Sequence, residues 1–162
     1  IGLGNMLDKF GRVLGLGFPA GAKIEELAKS GKFVKLPYTV KGMDVSFSGI
    51  LTKVEQLLGK GVSEKDLCFS VQETCFAMLT EVVERAMAHT DKQELLLVGG
   101  VGANKRFCEM LDIMCQERGA KFFKVPMSLA GDQGAMIAWE GFLRKDGSSD
   151  IEVKPHWRTD EV

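Results

Sequence analysis

The segment after residue 93 constrains the fold most, because it alternates apolar strands with a helix. Glu94–Val98 is a short apolar run that ends at Gly99, a length and a flank that predict a buried strand. Asn104–Arg118 follows as an amphipathic helix that ends at Gly119, and Lys121–Val125 is a second strand. Strands joined through a helix lie parallel, so the pattern predicts a helix-rich α/β chain with a parallel or mixed sheet.

The first ninety residues are mostly helical in their periodicity. The longest apolar stripe predicts a helix over 65–88, with Ser63 as its N-cap, and Gly31 is the expected C-cap of an earlier helix. The remaining predicted helices are Leu3–Leu16, Ala22–Ser30, Ile50–Leu58 and Gln133–Arg144, and the remaining predicted strands are Phe33–Leu36 and Met43–Phe47.

The size and composition are those of one globular domain. The chain has 162 residues, of which 45% are apolar and 27% charged, and its mean hydropathy is +0.01. These values exclude a disordered chain and a membrane span. The four cysteines, Cys68, Cys75, Cys108 and Cys115, form two pairs spaced seven apart without a CxxC, which predicts reduced core thiols rather than a zinc site.

The net charge gives no general attraction to nucleic acid or to a membrane. There are 21 basic and 22 acidic residues, so any such contact needs a local patch. The densest basic stretch holds Lys29, Lys32, Lys35 and Lys41. It is either a solvated face or an edge that contacts phosphates.

The glycine turn over 98–104 is the sharpest chemical feature. It joins a strand to a helix, where glycines let a ligand approach the backbone and the helix N-terminus offers N–H groups to an anion. The pattern predicts nucleotide or phosphate binding, and a tight turn without a ligand is the alternative. It is not a Rossmann fingerprint, because Lys105 takes the place of the third glycine, and no P-loop Gly-Lys-Ser/Thr follows.

Five ordered motifs carry a family resemblance over almost the whole chain. They are LGNMLD at 3–8, GFPAGAKIE at 17–25, GMDVSFSG at 42–49, VGGVGAN at 98–104 and AGDQGAM at 130–136. Together they resemble the C-terminal half of the tRNA threonylcarbamoyladenosine synthases, the catalytic subunit of the KEOPS complex, once labelled O-sialoglycoprotein endopeptidase. The PYTVKG stretch and the RTDEV ending are similar to the archaeal and eukaryotic branch.

The resemblance implies an actin/Hsp70/sugar-kinase-like (ASKHA) fold of two lobes. Residues 1–162 would form the single C-terminal lobe, with a polar tail over 146–162, and the N-terminal lobe would be absent. The family's enzyme transfers threonylcarbamoyl from its adenylate to the adenosine next to the tRNA anticodon. We expect that these 162 residues alone do not catalyse this transfer, since half of a binding cleft cannot close on a substrate.

The resemblance also assigns substrate-binding residues, while the catalytic residues stay unknown. Asp8, Gly21 and Glu25 would hold the ribose and neighbouring parts of the adenylate, and Gly99, Gly100 and Asn104 would line the adenosine pocket. Each has a plainer alternative. The two acids suit solvent-facing helix positions, the glycines suit turns, and Asn104 suits a helix cap.

Asp132 would be a metal ligand by the same resemblance, for one divalent ion, zinc or iron. Its plainer role is to cap the helix that follows. The family's other ligands are two histidines four apart and a tyrosine of the first lobe, and neither His89 nor His156 belongs to such a pair, so the site is expected to be incomplete. Gln133 also stands where the family pattern has asparagine.

The implied partners are tRNA, threonylcarbamoyl-adenylate, and a small protein kinase with other small KEOPS subunits, without a membrane. The implied location is the cytoplasm and nucleus. A binding or scaffolding lobe without activity of its own is the second hypothesis, and a sugar-kinase-like phosphotransferase is the runner-up reaction. Proteolysis is rejected, because the chain has neither His-Glu-x-x-His nor Gly-x-Ser-x-Gly.

Overall fold

The computed structural model describes residues 1–131, 133–145, 152, 153 and 155. They divide into unit 1, Ile1–Gly131, and unit 2, Asp132–Val162. The helices are α1 Leu3–Val13, α2 Gly21–Ala28, α3 Ser48–Leu58, α4 Glu64–Thr90, α5 Lys105–Glu117, α6 Met127–Ala130 and α7 Gly134–Leu143; the strands are β1 Val40–Lys41, β2 Asp44–Val45, β3 Glu94–Leu97 and β4 Lys121–Lys124.

This is the helix-rich α/β class that the sequence predicts, with small sheets. The single lobe over 1–162 stays a prediction, and most of the proposed polar tail lies outside the described residues. Among the described helices, none combines the length and apolar character needed to cross a bilayer.

The parallel pair β3 and β4 confirms the predicted strand–helix–strand unit. Glu94 aligns with Lys121 and Leu97 with Lys124, and α5 connects the strands and packs on β4. The predicted burial of β3 is confirmed for only one of its faces within unit 1. Leu95 and Leu97 pack against the core, but Leu96 on the other face is 59% exposed. The helices among the described residues of unit 1 cover one face of this sheet.

The predicted strand Phe33–Leu36 is also wrong. The segment is extended, but its backbone bonds side chains of α4 instead of another strand: Lys32 N donates to Asp66 Oδ1 and Val34 N to Ser70 Oγ, both at 2.7 Å. The predicted strand Met43–Phe47 is present in shorter form as β2, which pairs antiparallel with β1 across the turn at Gly42.

Helix α4 is the centre of unit 1, and α2, α3 and α5 pack around it. Ser63 is its N-cap by position, although its side chain makes no capping hydrogen bond. Gly31 is not the C-cap of α2, which is Lys29. The core residues that are fully buried and largest are Phe10, Phe76, Met6, Ile24, Ile50, Leu67, Met78 and Leu111.

The prediction of reduced core thiols is confirmed, since all four cysteines are free and buried. Burial raises the pKa of Cys68, which also faces the charge of Glu64, and the pKa of Cys75, each to about 12. Both thiols are therefore protonated and unreactive at neutral pH.

The buried thiols predict an alkaline limit to stability. Their pKa values lie near 12 in the folded chain and near 8.5 in an unfolded one, so the stabilisation is complete below about pH 8.5 and is lost as the pH rises toward 12. The urea midpoint of unfolding measured from pH 6 to 11 should be flat at first and then fall. Fast alkylation of native Cys68 or Cys75 at pH 7.5 would contradict this reading.

Candidate functional site

One cavity in unit 1 collects most of the residues that the sequence assigns to a ligand. Its volume is about 470 Å³, within the range of small-molecule sites. Five of the seven predicted residues line it, namely Asp8, Gly21, Glu25, Gly100 and Asn104. The other lining residues come from α1, α2, the loop between them, α4 and the turn before α5; they are Gly4, Leu7, Pro19, Ala22, Ile24, Gln72, Phe76, Val101 and Ala103.

Two carboxylates hold the helices around the cavity. Asp8 Oδ1 accepts a hydrogen bond from Ala20 N at 3.0 Å, which ties α1 to the start of α2. Glu25 Oε1 accepts from Lys105 N at 2.9 Å, which ties α2 to the start of α5. The plainer interpretation as solvent-facing acids is therefore incomplete. Both side chains are partly buried at the cavity, where carboxylate oxygens suit the hydroxyls of a ribose.

Asn104 is held from both sides of its amide. Its Oδ1 accepts from Phe107 N at 3.1 Å and so caps α5, which confirms the capping alternative. Its Nδ2 donates to Gln72 Oε1 at 2.8 Å. Because the cap uses the oxygen, the amide cannot flip without losing both bonds. Both side chains are at least 90% buried, so the pair is a rigid polar feature of the cavity wall.

Gln72 is the site residue that the sequence analysis missed. A signal was present, because Gln72 lies four residues from Cys68 and four from Phe76, on the buried face of α4. A glutamine on that face needs a hydrogen-bond partner, and Asn104 is that partner. Phe76 itself is fixed by stacking on Phe107, with ring centroids 4.8 Å apart.

The glycines of the site serve different purposes. Gly99 has φ +90°, which only glycine adopts easily, and it is not among the residues that line the cavity. Its assignment to the adenosine pocket stays a prediction. Gly21 and Gly100 line the cavity, and a Cβ built on either would meet no atom within 4 Å. These two positions leave room that a ligand can fill.

The charges favour the neutral part of a nucleotide. Two of the first N–H groups of α5 are engaged, since Lys105 N donates to Glu25 and Phe107 N donates to Asn104. Neither is available to an anion, contrary to the expectation of phosphate binding at these groups. None of the described residues that line the cavity is a lysine or arginine. Apolar walls with carboxylates and amides suit a base and a ribose better than a chain of phosphates.

Asp132, the predicted metal ligand, lies outside the described residues. Across 1–131, 133–145, 152, 153 and 155, no group of three His, Cys, Asp or Glu side chains is placed to hold a metal ion. The described residues therefore do not fit a complete metal centre, and Asp132 as a ligand stays a prediction.

Gly21→Ala should weaken nucleotide binding without weakening the fold. The new Cβ would take space in the cavity and meet no protein atom, and alanine favours a helix over glycine by up to about 1 kcal/mol. Calorimetric titration with AMP should show a roughly tenfold loss of affinity, equivalent to about 1.4 kcal/mol. Gly49→Ala, near the start of α3 and equally open, is the matched control. Equal affinity in both variants would remove Gly21 from the site.

The sequence of the chain is similar to those of known proteins. A family profile described as tRNA N6-adenosine threonylcarbamoyltransferase matches residues 1–139. The protein of that name from Archaeoglobus fulgidus is 57% identical over 168 aligned residues, which cover 100% of this chain and 52% of the relative. Its namesake from Thermococcus kodakarensis is 53% identical with the same 100% and 52% coverage.

A "Probable bifunctional tRNA threonylcarbamoyladenosine biosynthesis protein" from Methanocorpusculum labreanum is 53% identical over 100% of this chain, which covers 32% of that relative. The chain thus spans about half the length of the first two relatives and about a third of the bifunctional one.

Proposed function

The chain belongs to the family of tRNA N6-adenosine threonylcarbamoyltransferases, and we propose that it supplies the adenylate-binding part of such an enzyme. The whole protein would transfer threonylcarbamoyl from its adenylate to the N6 amine of the adenosine beside the tRNA anticodon. Support comes from a single observation: three motifs far apart in the sequence bring Asp8, Glu25 and Asn104 to one cavity.

The chemistry of the cavity supports an adenosine group as its occupant. Asp8 and Glu25 each have one carboxylate oxygen in a helix-tying bond, and among the described residues their other oxygens have no hydrogen bond, so they can accept from ribose hydroxyls. The amide oxygen of Gln72 accepts from Asn104, and that of Asn104 accepts from Phe107 N, which leaves N–H donors of both amides for the ring nitrogens of a purine.

In this proposal, the chain binds and orients the leaving group. The N6 amine attacks the carbamoyl carbon, the bond from that carbon to the phosphate oxygen breaks, and AMP leaves with the electron pair while the amine loses a proton. Holding the nucleoside half of the adenylate fixes the carbonyl for attack, which lowers the entropic barrier. The residue that takes the proton is not assigned.

Several finer points belong to the proposal and rest on the family resemblance. The two-lobed ASKHA fold, the KEOPS subunits with their small kinase, and a location in the cytoplasm and nucleus are among them. A divalent metal ion, zinc or iron, also belongs to the proposal. Asp132 would be one of its ligands, and the ion would polarise an oxygen of the substrate. No step above depends on that ion.

The test supplies threonylcarbamoyl-adenylate and unmodified tRNA to the whole protein, at the length of its relatives. The expected result is threonylcarbamoyladenosine in the digested tRNA, found by mass spectrometry, with one AMP released per modified nucleoside. A sugar panel with ATP is the parallel arm. Phosphorylated sugar without tRNA modification would replace the proposal with the kinase-like alternative. That alternative is disfavoured because no lysine or arginine is among the described residues that line the cavity.

The 162 residues alone form the second arm of this experiment. We predict that they bind AMP and do not modify tRNA, which would support the proposal of a binding lobe within a larger enzyme. Detectable threonylcarbamoylation by the 162 residues alone would contradict that part of the proposal.

A further inference from the structure

The segment 31–43, here called the strap, is held extended along α4. Four hydrogen bonds spread over its length attach it to side chains of that helix. They join Lys32 N to Asp66 and Val34 N to Ser70, both at 2.7 Å, Tyr38 OH to Glu81, and Gly42 O to Arg85 at 2.6 Å. Leu36 anchors the middle of the strap in the core, where it is 5% exposed. The strap is therefore a fixed ridge, and its outward side chains keep a fixed spacing.

The outward side chains of the strap carry unpaired positive charge. Three of them, Lys32, Lys35 and Lys41, are exposed, and within the described part of the chain none forms an ion pair. No Asp or Glu occurs from residue 27 to residue 43. The acids beneath the strap, Asp66 and Glu81, are bound to strap donors and to Arg85. A chain with net charge −1 thus concentrates three free cations on one ridge.

Two aromatic rings alternate with these lysines. Phe33 is 59% exposed and Tyr38 is 51% exposed, so both present ring surface to solvent. The hydroxyl of Tyr38 is bound to Glu81, which holds the tyrosine side chain in place. Cations that follow a backbone, interleaved with rings on which bases can stack, are the two components of surfaces that bind single-stranded nucleic acid.

We propose that the strap binds the RNA substrate, with its lysines on phosphates and with Phe33 and Tyr38 stacked on unpaired bases of a tRNA loop. The proposal rests on the proposed function, because it adds a surface for the tRNA to a chain argued to bind the adenylate. From Lys32 to Lys41 an extended backbone spans on the order of 30 Å, which is long enough to follow several nucleotides. Bases unstacked in loops are the parts of an RNA that aromatic side chains recognise.

The main test compares two triple variants with the same change of charge. Lys32→Gln/Lys35→Gln/Lys41→Gln removes the cations of the strap, and Lys92→Gln/Lys121→Gln/Lys124→Gln removes three exposed lysines outside it. Fluorescence anisotropy measures the binding of unmodified tRNA by the whole protein from 50 to 300 mM salt. Each lost phosphate contact should lower the log–log salt slope by roughly 0.7–0.9, so the strap variant should lose about two units of slope and about tenfold in affinity near 0.15 M salt.

A second pair of variants tests the stacking. Tyr38→Ala should weaken tRNA binding about fivefold or more, since base stacking is worth roughly 1–3 kcal/mol per base. Tyr38→Phe keeps the ring and loses only the bond to Glu81, so its binding should match the unaltered protein.

The outcomes separate this proposal from the function on which it rests. If the protein binds and modifies tRNA but both triple variants lose the same affinity, net charge alone matters and the strap proposal falls. It also falls if the strap variant keeps full affinity, for example because the ridge binds an acidic protein instead. If the unaltered protein neither binds tRNA nor modifies it, the proposed function falls as well.

Discussion

Asn104→Ala should lower the affinity for AMP and for threonylcarbamoyl-adenylate by more than tenfold. The substitution removes a donor at the cavity and also the hydrogen bond that orients the amide of Gln72. It also removes the cap of α5 at a cost of about 1 kcal/mol. The buried oxygen of Gln72 is left unpaired, which adds about 1–3 kcal/mol. Calorimetric titration and a urea melt measure the two effects separately.

Asn104→Asp is the control that separates binding from folding. An aspartate keeps an acceptor for Phe107 N, so the cap of α5 survives, but it offers no donor to Gln72 or to a ligand. We therefore expect most of the stability of the unaltered protein together with the binding loss of Asn104→Ala. An AMP affinity equal to that of the unaltered protein in Asn104→Ala would show that this cavity is not the adenylate site.

Variants of Gln72 extend the same prediction to the partner side chain. Gln72→Glu keeps an acceptor for Asn104 Nδ2 and loses the amide donors, whereas Gln72→Met keeps the shape and loses both. If Gln72 acts only by positioning Asn104, Gln72→Glu retains affinity and Gln72→Met loses it. If its own N–H groups contact the base, both variants lose affinity.

Gly31→Ala should be among the most destabilising single substitutions in the chain. A Cβ at this position would lie 2.1 Å from Lys65 O and 2.7 Å from Phe69 Cβ, so the start of the strap must move away from α4. Overpacking of this kind costs typically about 1–3 kcal/mol and occasionally more, and a clash with backbone belongs at the upper end. The thermal midpoint should fall by roughly 10 °C, since 1 kcal/mol corresponds to about 2–4 °C at this chain length.

Gly59→Ala is the control for that experiment. Gly59 also follows a helix, and its added Cβ would lie 3.6 Å from Glu55 O, an ordinary contact. Its thermal midpoint should change by less than about 2 °C. A midpoint for Gly31→Ala as high as that of Gly59→Ala would mean that the strap is not packed closely on α4.

Local sequence patterns predicted the helices and strands well where an apolar run or a helical stripe was unambiguous. The apolar run of β3 with its glycine turn and the stripes of α4 and α5 lie within a few residues of their predicted bounds. The prediction of a strand at Phe33–Leu36 was wrong, because an extended backbone can bond helix side chains such as Asp66 and Ser70 as readily as another strand. The prediction that Gly31 is a helix C-cap was wrong for a similar reason. Its neighbour is Lys65, thirty-four residues away along the chain, and no local rule names such a contact.

The order of motifs along the chain was sufficient to identify the family, and the family resemblance singled out Asp8, Gly21, Glu25, Gly100 and Asn104, which all line one cavity. Only the folded arrangement shows which groups Asp8, Glu25 and Asn104 bond. Asp8 and Glu25 accept hydrogen bonds from backbone N–H groups of other segments. Asn104 is oriented by Gln72, which in the sequence looks like an ordinary residue of a helix. Hydrogen bonds of this kind join groups distant in sequence, so they exist only once α1, α2, α4 and α5 have packed together.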